Sequence, residues 1–108
     1  MNLQALTKIH GFVGMEFGTF KLKEGVSESE MLKAAQIADE MFLSKEEGFL
    51  AHVVLRGKDG LYADVGFATT QEKAEEVCGK WMENEYTLKY IEAIDTESVN
   101  LSFWERIK

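Results

Sequence analysis

Proline is absent from this 108-residue chain, cysteine occurs once and histidine twice. Each scarcity excludes something. A lone cysteine, Cys78, cannot form an internal disulfide, so the chain is no disulfide-stapled scaffold. Two histidines at 10 and 52 leave no HxH, HxxxH or CxxC spacing, so no metal site is announced. No stretch approaches the roughly 20 apolar residues of a membrane span. The opening Met1-Asn2-Leu3-Gln4-Ala5 lacks the apolar run and cleavage site of a signal peptide, so a cytoplasmic location is the default. Basic residues are also few, 12 against 19 acidic, for a net charge of −7. That field repels phosphate backbones and anionic lipid, so neither nucleic acid nor membrane is an expected partner.

What is present suffices for one domain with one core: 45% of residues are hydrophobic and 29% charged. Without proline, glycines and caps must mark the boundaries. Residues 13–22 alternate as a first strand, with Met15, Phe17 and Thr19 on one side and Glu16, Gly18 and Phe20 on the other. Ser27 with Glu30 forms a capping box, and Met31, Ala34, Ala35, Ala38, Met41 and Phe42 make the apolar stripe of a helix to about Lys45. Gly48 stops it. Residues 49–56 and 61–68 are strands of a hairpin. A three-residue loop, Lys58-Asp59-Gly60, pairs Leu55 with Ala63 and Val53 with Val65, keeping apolar residues on one face; a two-residue loop mixes the faces. Thr69 and Thr70 compete as the next cap, Thr69 forming a capping box with Glu72. A stripe of Ala74, Val77, Cys78, Trp81 and Met82 follows, then a short helical piece over 88–94 and a last strand over 98–107.

Strand, helix, hairpin, helix, strand is the ferredoxin-like βαββαβ arrangement of an α+β domain, with a four-stranded antiparallel-type sheet and both helices on one face. The apolar face of Val53, Val65 and Leu101 is expected beneath the helices. The other then holds Glu16, Phe20, His52, Tyr62, Asp64, Ser102 and Trp104. That face is too apolar for water, and a second copy of the sheet in a homodimer is the economical cover.

The segments Phe20–Glu28, Gly48-Phe49, Tyr62–Val65 and Asp95–Val99 resemble the dimeric α/β-barrel proteins, the antibiotic-biosynthesis-monooxygenase-like group, many of them of unassigned function. The resemblance spans 12–108 as a single dimeric domain and leaves 1–11 as an extension of unknown structure. It implies a homodimer with a cavity in each protomer, often between sheet and helices. The chemistry it implies is oxidation of aromatic polyketides without a cofactor, haem handling or isomerisation of small lactones. The chain departs from the pattern at Phe103, where a histidine is frequent, and at Ala68, where an aromatic is.

Among the residues themselves, His52 opposes Gly66, which leaves room beside the imidazole. With a pKa near neutrality it suits a general base, oriented by Asp64; the plainer reading is a histidine bonded across a dimer interface. Asp64 is unusual in mid-strand and either orients His52 or pairs with a cation such as Arg56. Glu16 has the same two readings. Tyr62 and Trp104, with Ser102 nearby, are either walls of a ligand pocket or packing. Cys78, within its helix stripe, reads as a buried inert thiol. A haem would need His52 or His10 as its axial ligand. Two functions stand. One is a cofactor-free monooxygenase-like or isomerase-like enzyme acting on a small hydrophobic or aromatic molecule. The other is a non-catalytic ligand-binding or structural homodimer.

Overall fold

The structure, a computed structural model, describes residues 9–108; most of the N-terminal extension expected over 1–11 lies outside the described residues. Strand β1 runs Gly14–Leu22, helix α1 Glu28–Met41, and strands β2 and β3 Phe49–Arg56 and Leu61–Ala68. Helix α2 spans Gln71–Gly79, helix α3 Glu85–Ile91, and strand β4 Ile94–Glu105. Local chemistry sets these limits. Ser27 accepts the Glu30 amide at the start of α1. Thr70, not Thr69, caps α2 by accepting from Lys73. The expected single helix through Asn84 instead ends at Gly79, and a 3-10 turn, Trp81–Glu83, leads to α3. Asn84 caps α3 by accepting the Tyr86 and Thr87 amides.

The four strands form an antiparallel sheet in the order β2-β3-β1-β4, the ferredoxin-like α+β arrangement. The hairpin pairs Val53 with Val65 and His52 with Gly66, as the three-residue loop requires, with Asp59 and Gly60 at positive φ. The expected faces are reversed, however. The helices cover the side carrying Glu16, Phe20, His52 and Asp64, because α1 and α3 bring polar partners to it: Asp39 to His52, and Tyr90 to Asp64. Buried polar groups are stable only when paired, and that requirement outweighs the greater apolarity of the opposite face.

A second correction concerns β4. Pairing sets Leu101 opposite Gly18 and Ser102 opposite Phe17, with a register shift between Thr19 and Lys21. Leu101 and Phe103 therefore share the helix side with Glu16. Ser102 and Trp104 lie on the open side with Phe17 and Val53. The core beneath the helices is built from Phe20, Met31, Ala35, Ala38 and Tyr90. Among the described residues no helix is long and apolar enough to cross a membrane.

Candidate functional site

Beneath the helices, four elements each supply one polar side chain to a single chain of contacts. His52 of β2 is 2% exposed in its side chain, and both ring nitrogens are occupied. Nδ1 lies 2.5 Å from Asp39 Oδ1 of α1, and Nε2 lies 2.6 Å from Asp64 Oδ2 of β3. Tyr90 of α3 donates its hydroxyl to the same Asp64 oxygen at 2.7 Å. The rings of Trp81 and Tyr90 stand at steep angles to the imidazole, 5.9 and 6.0 Å away, and shut out water. Trp81 is held by its carbonyl, which accepts the Thr87 hydroxyl at 2.6 Å.

Electrostatics fixes the protonation of this cluster. Burial alone would strip the proton from His52. The charge of Asp64, hydrogen bonds to Asp39 and Asp64, and the charge of Asp39 outweigh it and raise the imidazole to about 10. His52 is thus an imidazolium donating from both nitrogens. The expected role of free general base is not one this geometry offers, since neither lone pair is available. Glu16 of β1 is 6% exposed. Burial first, then the charge of Asp64 and a hydrogen bond shared with it, pushes the Glu16 carboxyl up to about 9. At neutral pH it is protonated, and its hydroxyl is directed to Asp64. Among the described residues Asp64 Oδ1 is buried and meets no amide or hydroxyl donor, which leaves it free to accept the proton of the neighbouring Glu16.

The Glu16–Asp64 pair forms the polar floor of an otherwise apolar cavity of about 470 Å³ between sheet and helices, walled by Phe20, Trp81, Ile94 and Leu101. A Cβ on Gly18 would stand 3.2 Å from Glu16 Oε1. One on Gly66 would stand 3.2 Å from Glu16 Oε2 and 2.9 Å from the Phe49 ring, so the room expected beside His52 is taken up by Phe49. Gly18 lines the cavity, and Oε1 is the Glu16 oxygen beside it. Cys78 also lines it, a neutral thiol pushed up to about 12 by burial and by the nearby Glu16 and Asp64.

Of the residues singled out from sequence, the structure brings Glu16, His52 and Asp64 together. Tyr62 is on the same side but away from the cavity: it stacks on Phe20 and donates to Glu28, which also holds Arg56 by two hydrogen bonds. Arg56 is therefore not the partner of Asp64. Ser102 and Trp104 sit on the open face, bonded to each other at 2.8 Å, and are not among the residues that line this cavity. His10 is exposed near the chain termini, its carbonyl accepting from Arg106. Sequence reasoning missed Asp39 and Tyr90. Asp39 had a signal, since it lies four residues after Ala35 and eight after Met31, on the flank of the stripe that α1 buries.

No family model matches the chain, and no curated protein matches it either. Solved structures do. A putative antibiotic biosynthesis monooxygenase from Bordetella bronchiseptica superposes with a TM-score of 0.72 at 12% identity, covering 90% of this chain and 99% of that one. SnoaB, a cofactor-independent oxygenase from Streptomyces nogalater, gives 0.68 at 11% identity over 90% and 95% of the two chains. A nipsnap family protein with unknown function from Agrobacterium tumefaciens gives 0.59 at 13% identity over 90% of each. At these identities the likeness is one of fold. The chain has the ferredoxin-like fold that these solved structures share.

Proposed function

We propose that this protein is a cofactor-free enzyme, monooxygenase-like or isomerase-like, that moves a proton on a small, neutral, hydrophobic or aromatic molecule held beneath the helices. The observation that carries this reading is the Glu16–Asp64 pair, two neighbouring buried carboxyls at the floor of an apolar cavity, with Glu16 held protonated by burial and by Asp64. Two carboxyls held so that only one ionises form an acid and a base in one place. The apolar walls favour an uncharged ligand, and among the described residues no lysine or arginine lines the cavity. Glu16 takes the proton from an acidic C–H or O–H of the ligand at one carboxyl oxygen as the proton it already holds passes from the other to Asp64. The resulting anion either takes a proton back at another atom or gives up electrons to dioxygen. The fold's occurrence in a cofactor-independent oxygenase supports the second course.

The roles differ from those expected of the sequence: Asp64 and Glu16 face the reacting atoms, and His52 holds Asp64. In the same reading the chain is a homodimer closed through its open sheet face, with residues 12–108 as the dimeric domain.

The test uses 2-tetralone, a neutral bicyclic ketone with acidic α-hydrogens, in D2O without oxygen. Deuterium uptake followed by NMR should be catalysed, and Glu16→Gln should lower it by about a hundredfold or more, the scale of general acid–base catalysis. Oxygen consumption with anthrone separates oxidation from simple exchange. Quenching of tryptophan fluorescence by tetralone with no exchange in the wild type would favour the non-catalytic, ligand-binding alternative.

A further inference from the structure

His52 lies between Asp64, which lines the cavity, and Asp39 of α1. Its side chain is 2% exposed and that of Asp64 is 7% exposed, while Asp39 on the far side of the ring is 31% exposed. We propose that His52 and Asp39 form a proton exit, which carries to bulk water the proton that the Glu16–Asp64 pair takes up in the cavity. The inference rests on the cavity reaction proposed above.

The transfer balances at every step. The ligand C–H or O–H bond breaks and its proton forms an O–H on Glu16 Oε1, while the proton Glu16 already held passes to Asp64 Oδ1. Asp64 is then neutral, and the imidazolium has lost one of its two counter-charges. Its Nδ1 proton crosses 2.5 Å to Asp39 Oδ1 and leaves to water. Before transfer the Asp39, His52 and Asp64 cluster holds two carboxylates and one cation; afterwards it holds one carboxylate and two neutral groups. Its net charge is unchanged, so the one charge created in the interior is that on the ligand, and the polar cluster adds none of its own.

Other groups facing the cluster do not offer this route. Tyr90 of α3 donates to Asp64, and burial, followed by the charge of and hydrogen bond to Asp64, pushes its hydroxyl far up. Cys78 of α2 stays a neutral thiol, and Trp81 has no proton to relay at this pH. Among the described residues no lysine or arginine pairs with Asp39 or Asp64. A lysine would neutralise Asp64 equally well, but it is a point charge at the end of a chain. An imidazole has two ends.

The experiment has a ligand-free arm and a turnover arm, both on the full chain. With 15N-labelled histidine, NMR near neutral pH should show His52 carrying both ring protons. The Nδ1 proton should exchange with water through Asp39. In Asp39→Asn the hydrogen-bond acceptor remains but cannot take a proton, so this exchange should slow by about tenfold or more, or the Nδ1 proton should be lost; Asp39→Glu should restore it. A ring with one proton in the wild type, or exchange unaltered in Asp39→Asn, overturns the exit. In the turnover arm Asp39→Asn should lower tetralone exchange by about tenfold in dilute buffer, and concentrated imidazole buffer should restore it. Glu16→Gln should show no such rescue. Loss in Asp39→Asn without rescue also overturns the exit. A wild type that leaves tetralone unexchanged counts against the cavity reaction, and the NMR arm then decides the exit alone.

Discussion

At the scale of single residues, burying one acid uncharged and one imidazole charged has a shared consequence for stability. Glu16 rises from 4.5 to about 9 and His52 from 6.5 to about 10. Both hold their protons more tightly folded than unfolded, so the native state binds more protons over these intervals and stability falls as pH rises. The contribution is complete below the unfolded values and is lost upward through the folded ones, over pH 4.5 to 9 for Glu16 and 6.5 to 10 for His52. Glu28 acts oppositely: the hydrogen bond from Arg56, then that from Tyr62, lowers it to about 2, so its support is lost only as pH falls from 4.5 toward 2. Urea unfolding across pH should therefore give greatest stability in the mildly acidic range and a steady decline on the alkaline side. Glu16→Gln, which is neutral throughout, should flatten the lower part of that decline; an unchanged slope would mean Glu16 is ionised in the folded state.

At the scale of elements, glycines report how closely the layers approach. A Cβ on Gly14 would stand 2.2 Å from the Thr70 carbonyl oxygen and 2.6 Å from Gln71 Cα. Both are backbone atoms at the cap of α2, so the strand or the helix must shift. Gly14→Ala should cost about 3 kcal/mol by overpacking. Gly79, in the last turn of α2, has nothing within 4 Å of such a Cβ, and Gly79→Ala should gain about 0.5 kcal/mol from helix propensity. Chemical denaturation of both variants checks the contrast. What the sequence disclosed at this scale follows the same distinction between local and distant causes. The hairpin register was legible because loop length and alternation within 20 residues determine it, and His52 against Gly66 came with it. Asp64 and Glu16 were legible as charges misplaced in strands. The covered face was not, because it depends on Asp39 and Tyr90 arriving from other elements. The side of β4 was not either, because alternation sorts Leu101 from Ser102 but does not say which of them meets Gly18.

At the scale of the whole molecule, the sheet has helices on one side only, and the other side is apolar. Phe17, Val53, Val65 and Phe67 run across its middle, with Leu55 and Trp104 at 51% and 58% exposure. A sheet face of this kind is stable when a second layer covers it. The occupant proposed is a second copy of the same face. Charge argues for that choice: the chain carries −7 overall, so most of its surface repels another copy, whereas the residues across the middle of this face are uncharged and meet their own kind without repulsion. Sedimentation at micromolar concentration should give twice the chain mass. Val53→Asp places a carboxylate on this face, on the edge strand β2 opposite Val65, and two-fold symmetry then buries two such charges in one desolvated interface. That variant should sediment as a monomer, while its far-ultraviolet circular dichroism and its His52 ring-proton signals match the wild type, because the helix-side cluster shares no side chain with this face. A monomeric wild type would remove the second layer and leave the apolar face for a different partner; a dimer that survives Val53→Asp would place the interface elsewhere.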